Sequence, residues 1–198
     1  GNDTVEVQMQ VTPALSVSES SLDFGTQLTS LVTNITNPGS GILEWETVSN
    51  ASWLTISPNS GTTQTESDVL NFLVDRTGLD AGDYSSVVTI TSNGGSQNIE
   101  VLIRVPAPPE LAVSPGLLNF GALTSSMNLN IINNGDEILN WSIASNQDWL
   151  SAYPLSGSIT TETDQVNVTV NRDNLDIGDY SGIITISSNG GDQAVSVS

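Results

Sequence analysis

Laid against itself with an offset of 96, the sequence matches Trp45 with Trp141, Trp53 with Trp149, Phe24 with Phe120 and Tyr84 with Tyr180. Leu15–Leu102 against Leu111–Ser198 gives 41 identities in 88 positions, with no gap. A period of this length is the size of a domain, far longer than a solenoid turn. The chain therefore carries two globular modules, and each must close its own core within about 90 residues.

The same offset sets Val5 over Val101, Val7 over Ile103, Met9 over Val105 and Pro13 over Pro109. Residues 1–13 thus read as an N-terminal strand, the end of a preceding copy. Repeat 1 is assigned to 14–105, a Pro-rich linker to 106–110 and repeat 2 to 111–198. The last residue, Ser198, has its counterpart Leu102 inside the strand that the N-terminal segment matches. The reading is a window from a longer tandem array. Gly1 reads as a cleavage scar, with no initiating Met and no signal-peptide core after it.

Almost every segment has period two, the mark of a strand with one buried face. Ile99, Val101, Ile103 and Val105 alternate with Asn98, Glu100, Leu102 and Arg104, and Leu70, Phe72 and Val74 alternate with Val69, Asn71 and Leu73. Leu43, Trp45 and Thr47 share a face, as do Leu139, Trp141 and Ile143. No stretch carries a helical stripe. Strands at short intervals, with Gly, Asn and Pro between them, predict all-β architecture: two tandem immunoglobulin-like sandwiches of about seven strands each.

The segment "LDAGDYSSVVTITSNGG" (Leu79–Gly95) returns as "LDIGDYSGIITISSNGG" (Leu175–Gly191). Its first part has the form of a tyrosine corner, in which Tyr84 or Tyr180 returns its hydroxyl to nearby backbone. Asn93-Gly94 and Asn189-Gly190 predict two-residue hairpin turns of type I′, with positive φ at both positions. Both features are scaffold. The linker "VPAPPE" (Val105–Glu110) predicts an extended, semi-rigid spacer between beads, because prolines favour polyproline geometry.

Composition narrows the chemistry. The chain has no His, no Cys and no Lys; against Arg76, Arg104 and Arg172 stand 22 Asp and Glu, for a net charge of −19. Nucleic acid needs a cationic surface, so it is excluded as a partner, and anionic membrane surfaces are repelled. No apolar run has the length of a membrane span, so direct insertion is not expected. Without imidazole, thiolate or amine, the usual bases and nucleophiles are missing and no enzyme is expected. No cofactor is implied.

Two ligand chemistries stay open. Calcium takes oxygen ligands, and "DRTGLDAGD" and "NRDNLDIGD" gather Asp80 and Asp83 in one copy and Asp176 and Asp179 in the other. Neither loop has EF-hand spacing, Asp and Asn favour turns in any case, and Arg76 and Arg172 would partly neutralise the group. Aromatic stacking on sugars is the second. Trp45 and Trp141 fall on inward faces and are assigned to the core. Trp53 and Trp149 are either lids on the sandwich ends or exposed platforms. In "WLSAYP", Trp149 and Tyr153 would share the off-face of a strand, roughly 13 Å apart.

In order along the chain, "LSVSESSLDFGT", "NPGSGILEWETVSNASWLTISPNSGT" and "LDAGDYSSVVTITSNGGSQNIEVLIRV" resemble the BACON domain. So do "LAVSPGLLNFGA", "NNGDEILNWSIASNQDWLSAYPLSGS" and "LDIGDYSGIITISSNGGDQAVSVS" in the second copy. That family is an immunoglobulin-like module common in surface and secreted proteins of Bacteroidetes. The resemblance implies an extracellular, non-catalytic spacer or adhesion module of a bacterial cell-surface protein, secreted or anchored at the outer membrane. It also implies, as the alternative, binding of glycans or mucin. No cation adjoins Trp53 or Trp149 in sequence, which argues against ion pairing to sulfated or sialylated sugars.

Overall fold

The computed structural model describes residues 12–198; the N-terminal strand expected over residues 1–13 falls almost wholly outside them. The chain separates into two compact units, the first ending at Val105 and the second spanning Pro106–Ser198. Every element in the described residues is a strand. The first unit holds β1 (Ser16–Val17), β2 (Ser21–Asp23), β3 (Ser30–Thr36), β4 (Leu43–Val48), β5 (Leu54–Ser57), β6 (Ser60–Thr63), β7 (Ser67–Val74), β8 (Gly82–Ser92) and β9 (Gly95–Val105). The second holds β10 (Leu111–Ser114), β11 (Leu117–Leu118), β12 (Ser126–Asn133), β13 (Leu139–Ser145), β14 (Leu150–Tyr153), β15 (Ser156–Ile159), β16 (Thr163–Val170), β17 (Gly182–Ser188) and β18 (Gly191–Val197).

Each unit is a sandwich of a four-stranded and a five-stranded sheet. The orders are β1-β3-β7-β5 and β2-β9-β8-β4-β6 in the first unit, and β10-β12-β16-β14 and β11-β18-β17-β13-β15 in the second. The all-β, immunoglobulin-like fold class holds, but the strand count is nine per unit, not about seven. Two stretches of each unit change sheet midway. "LSVSESSLDF" gives β1 to one sheet and β2 to the other, where β2 runs parallel to β9. "WLTISPNSGTT" gives β5 to one and β6 to the other, with a cis Ser57–Pro58 peptide between them. The second unit repeats this with cis Tyr153–Pro154.

The inward faces are those the alternation assigns. Leu70 and Phe72 of β7, Val88 and Ile90 of β8, and Ile99 and Val101 of β9 are fully buried, as are Val166 and Val168 of β16. Each such side chain stabilises its unit by roughly 1.5–3 kcal/mol relative to exposure. Val69, Asn71 and Leu73 face solvent. No buried side-chain polar atom in the described residues lacks a hydrogen-bond partner.

Each core holds a buried tryptophan, Trp45 on β4 and Trp141 on β13, from the strand next to one edge of the five-stranded sheet. Trp45 donates through Nε1 to Thr63 Oγ1 at 2.9 Å and to Asp68 Oδ2 at 3.3 Å, and Thr63 Oγ1 donates to the same carboxylate oxygen at 2.6 Å. In the second unit Ile159 stands where Thr63 was, and Trp141 Nε1 reaches Asp164 Oδ2 directly at 2.9 Å. Asp68 and Asp164 sit on β7 and β16, so each bond ties one sheet to the other. The indole fits because its cross-strand neighbour is glycine: a Cβ on Gly61 would lie 2.4 Å from Trp45 Cζ2, and one on Gly157 2.6 Å from Trp141 Cζ2.

The hairpins at Asn93-Gly94 and Asn189-Gly190 form where expected, with Ser92 opposite Gly95 and Ser188 opposite Gly191. Their type is not I′. Among the described residues none other than glycine has positive φ, and the left-handed position falls on Gly95 (φ +116) and Gly191 (φ +105). The cause is the side chain of Asn93, which extends the neighbouring strand: Oδ1 accepts from Glu44 N at 3.1 Å and Nδ2 donates to Ile42 O at 3.0 Å. Asn189 makes the same pair with Asn140 N and Ile138 O. A side chain on Gly94 would strike Leu43 and the backbone of Ala14.

Pro106–Glu110, read from its prolines as a spacer, is hydrogen-bonded into the second unit. Asn133 Oδ1 accepts from Glu110 N and Gly135 N, while Nδ2 donates to Glu137 O and Thr160 O. Asp136 N and Glu137 N both donate to Ala107 O. Asn37 holds Ala14 in the same way in the first unit. In the turn before β16, Glu162 accepts from its own amide, from Thr160 Oγ1 and from the amides of Thr160 and Thr161, which hold its carboxyl down at about 2.

Replacing Gly157 with Ala should lower the stability of the second unit by about 1–3 kcal/mol, because the new methyl collides with the indole in a packed site. Calorimetry of the full chain would register this as an earlier transition. An unchanged profile would mean that the indole has room to move.

Candidate functional site

The tyrosine corners are present. Tyr84 Oη donates to Asp80 O at 2.9 Å, and Tyr180 Oη to Asp176 O at 3.3 Å. The acceptors are backbone carbonyls, so the carboxylates of Asp80 and Asp176 are not engaged by these bonds. Asp83 Oδ1 lies 3.8 Å from Arg104 Nη1, both well exposed, a pair of little energetic weight. Among the described residues no three Asp, Glu, His or Cys side chains gather in metal-ligating geometry.

Arg76 and Arg172 donate to backbone carbonyls. Arg76 Nη1 donates to Leu28 O at 2.8 Å, Nη2 to Gly25 O at 2.8 Å and Phe24 O at 3.4 Å, and Nε to Arg104 O at 3.2 Å. A planar guanidinium with five fixed donors can close such a ring of carbonyls at the end of a sandwich. Arg172 makes two of the corresponding bonds, through Nη2 to Gly121 O and Thr124 O.

The second unit has a cleft of about 700 Å³ beside this arginine. Phe120, Trp149, Val170, Leu175 and Tyr180 give it apolar walls, with Ile177, Asp176, Asp179 and Arg172 also lining it. Trp149 is half-buried, packs against the core, and meets Tyr180 edge to face at 6.2 Å. Tyr153 is apart from it. It stands 80% exposed on β14 and does not line the cleft. The aromatic neighbour of Trp149 is Tyr180, not Tyr153. Trp53, half-buried in the bend ahead of β5, packs against the core of the first unit.

The corner strands of the two copies are paired over different lengths. In the first unit β8 begins at Gly82 and pairs Gly82 with Val105, Asp83 with Arg104 and Tyr84 with Ile103. In the second, β17 begins at Gly182 opposite Val197, and residues 178–181 pair with no strand among the described residues.

The model of the viral BACON domain matches residues 14–105 and 110–198. The chain belongs to this family. It is a family of non-catalytic domains, met here as two tandem copies. No curated protein is similar enough in sequence to count as a relative. Among solved structures, the chain is similar to a Porphyromonas gingivalis W83 protein of unknown function, at 17% identity over 92% of this chain and 97% of that one, TM-score 0.41. It is similar to domains 4 and 5 of the S-layer protein SbsC, at 15% identity over 84% and 80% of the two chains, TM-score 0.44. A third is the CsuC–CsuE chaperone–tip adhesion subunit pre-assembly complex of Acinetobacter baumannii, at 10% identity over 93% and 98%, TM-score 0.43. Such distant likeness concerns the fold alone.

Addition of calcium should leave the melting temperature of this BACON pair unchanged. A rise of several degrees that a chelator reverses would instead make ligands of Asp80, Asp83, Asp176 and Asp179.

Proposed function

We propose that the chain is a non-catalytic, extracellular tandem module that serves as a spacer and adhesion segment of a surface protein. One observation carries this reading: the groups that recur in both copies are occupied by the scaffold. The buried tryptophans are bonded between sheets, the arginines cap sandwich ends, the paired asparagines fasten the entering segments, and the corner tyrosines hold backbone. A bacterial cell surface is the proposed setting, with neighbouring domains of a longer array as its direct partners. The family's viral description adds the surface of a virus particle to the settings in which such a segment would work.

Binding of glycans or mucin is the second reading, and Tyr153 favours it. A tyrosine ring 80% exposed, next to the exposed Leu155, offers an apolar face of the sort on which a sugar ring stacks. Trp149 and Trp53, half-buried, would contribute edges at most.

A glycan array probed with the chain and with its Tyr153→Ala variant separates the two. The spacer reading expects no signal at protein concentrations that register a Kd of about 1 mM. Binding that disappears in the variant would replace it with the carbohydrate reading.

A further inference from the structure

We propose that Asn134 is a site of spontaneous chemical modification, at which its side-chain amide is lost to the backbone of Gly135. Gly135 N attacks Asn134 Cγ, the new N–Cγ bond closes a five-membered imide, and the Cγ–Nδ2 bond breaks. The amide proton of Gly135 leaves with Nδ2 as ammonia. Water then opens the imide at either carbonyl, giving aspartate or isoaspartate. Nothing is oxidised or reduced, and water is the only co-reactant. Asn-Gly pairs suit this step because glycine has no Cβ to obstruct the ring.

The chain has three such pairs, led by Asn93, Asn134 and Asn189, and all three asparagines are exposed. In each pair the glycine amide already donates to a nearby side-chain oxygen. Gly94 N reaches Ser92 Oγ at 3.1 Å, Gly135 N reaches Asn133 Oδ1 at 3.0 Å, and Gly190 N reaches Ser188 Oγ at 3.0 Å. The nucleophile therefore does not distinguish the three pairs. The electrophile does. Asn93 is held at both ends, Oδ1 accepting from Glu44 N and Nδ2 donating to Ile42 O, and Asn189 is held in the same way by Asn140 N and Ile138 O. The side chain of Asn134 makes no hydrogen bond among the described residues; only its backbone N is engaged, donating to Glu110 O at 2.9 Å.

The fold demands the glycine of this pair but not the asparagine. A Cβ on Gly135 would strike Pro108 O, and one on Gly39 would strike Thr12 O, so both copies keep glycine in this turn. The residue before Gly39 is Pro38, which has no amide to lose. The reactive turn thus belongs to the second copy alone, where it grips the segment entering that unit. Isoaspartate would add a methylene to the backbone between Asn134 and Gly135. That displaces Gly135 N from Asn133 Oδ1 and the amides of Asp136 and Glu137 from Ala107 O, loosening residues 106–110. The spacer reading does not depend on this change, and their tests share no readout.

Incubation of the folded full chain in mildly alkaline buffer, followed by peptide mapping with mass spectrometry, tests the proposal. Asn134 should convert first, to a mixture of aspartate and isoaspartate. Its lead over Asn93 and Asn189 should be about tenfold or more, since their two side-chain hydrogen bonds must break before the ring can close. In denaturant that protection is gone, and the three pairs should convert at similar rates. Asn134→Gln should remove most of the ammonia released by the folded chain, because the longer side chain closes a six-membered ring more slowly. Equal rates at the three pairs in the folded chain overturn the proposal. So does a tenfold lead of Asn134 that persists in denaturant, or ammonia release unchanged in the variant.

Discussion

An indole N–H aimed across a sandwich at a carboxylate is the interaction on which each unit depends. Immunoglobulin-type sandwiches often tie their sheets with a disulfide packed against a tryptophan. This chain has no cysteine. The tie is instead Trp45 to Asp68, with Thr63 bonded to both, and Trp141 to Asp164 directly. An inward-facing carboxylate is costly unless hydrogen-bonded, and a buried indole N–H needs an acceptor, so each group removes the other's penalty. The bond also dictates Gly61 and Gly157, since only glycine leaves the indole room to lie over the edge strand.

Around that tie the two units solve the same problems with the same residue types. Asparagine side chains extend strands at the hairpins and grip the entering segment, and arginines collect carbonyls where the sandwich ends. These are polar side chains acting as backbone. They pair amides and carbonyls at the ends of a module that has no cysteine to form a disulfide. Among the described residues every carboxylate other than those of Asp68 and Asp164 is exposed.

Much of this was legible in the sequence. The 96-residue period set the two modules, the two-residue alternation gave the inward faces of β7, β9 and β13, and the corner motif placed the Tyr84 hydroxyl. What was not legible depended on partners far along the chain. Nothing in "WLTISPNSGTT" reveals that it changes sheet, because alternation continues through a crossover. Asn-Gly implied a type I′ turn by local preference. The observed turn is set instead by Asn93 reaching Glu44 and Ile42, about 50 residues away. Arg76 beside acidic loops suggested charge pairing, yet its carbonyl partners carry no sequence signature. Strand parity put Trp149 and Tyr153 on one face, but Trp149 precedes β14 and meets Tyr180, as the lid alternative has it.

The most direct test of the account is a double-mutant cycle on Trp141→Phe and Asp164→Ala in the full chain, read by calorimetric unfolding of the second unit. A charge-assisted bond that ties the sheets predicts a coupling of about 1.5–3 kcal/mol, with the double variant far less destabilised than the sum of the singles. Additive losses, with coupling within about 0.5 kcal/mol of zero, would contradict it and leave apolar packing alone to hold the sandwich closed.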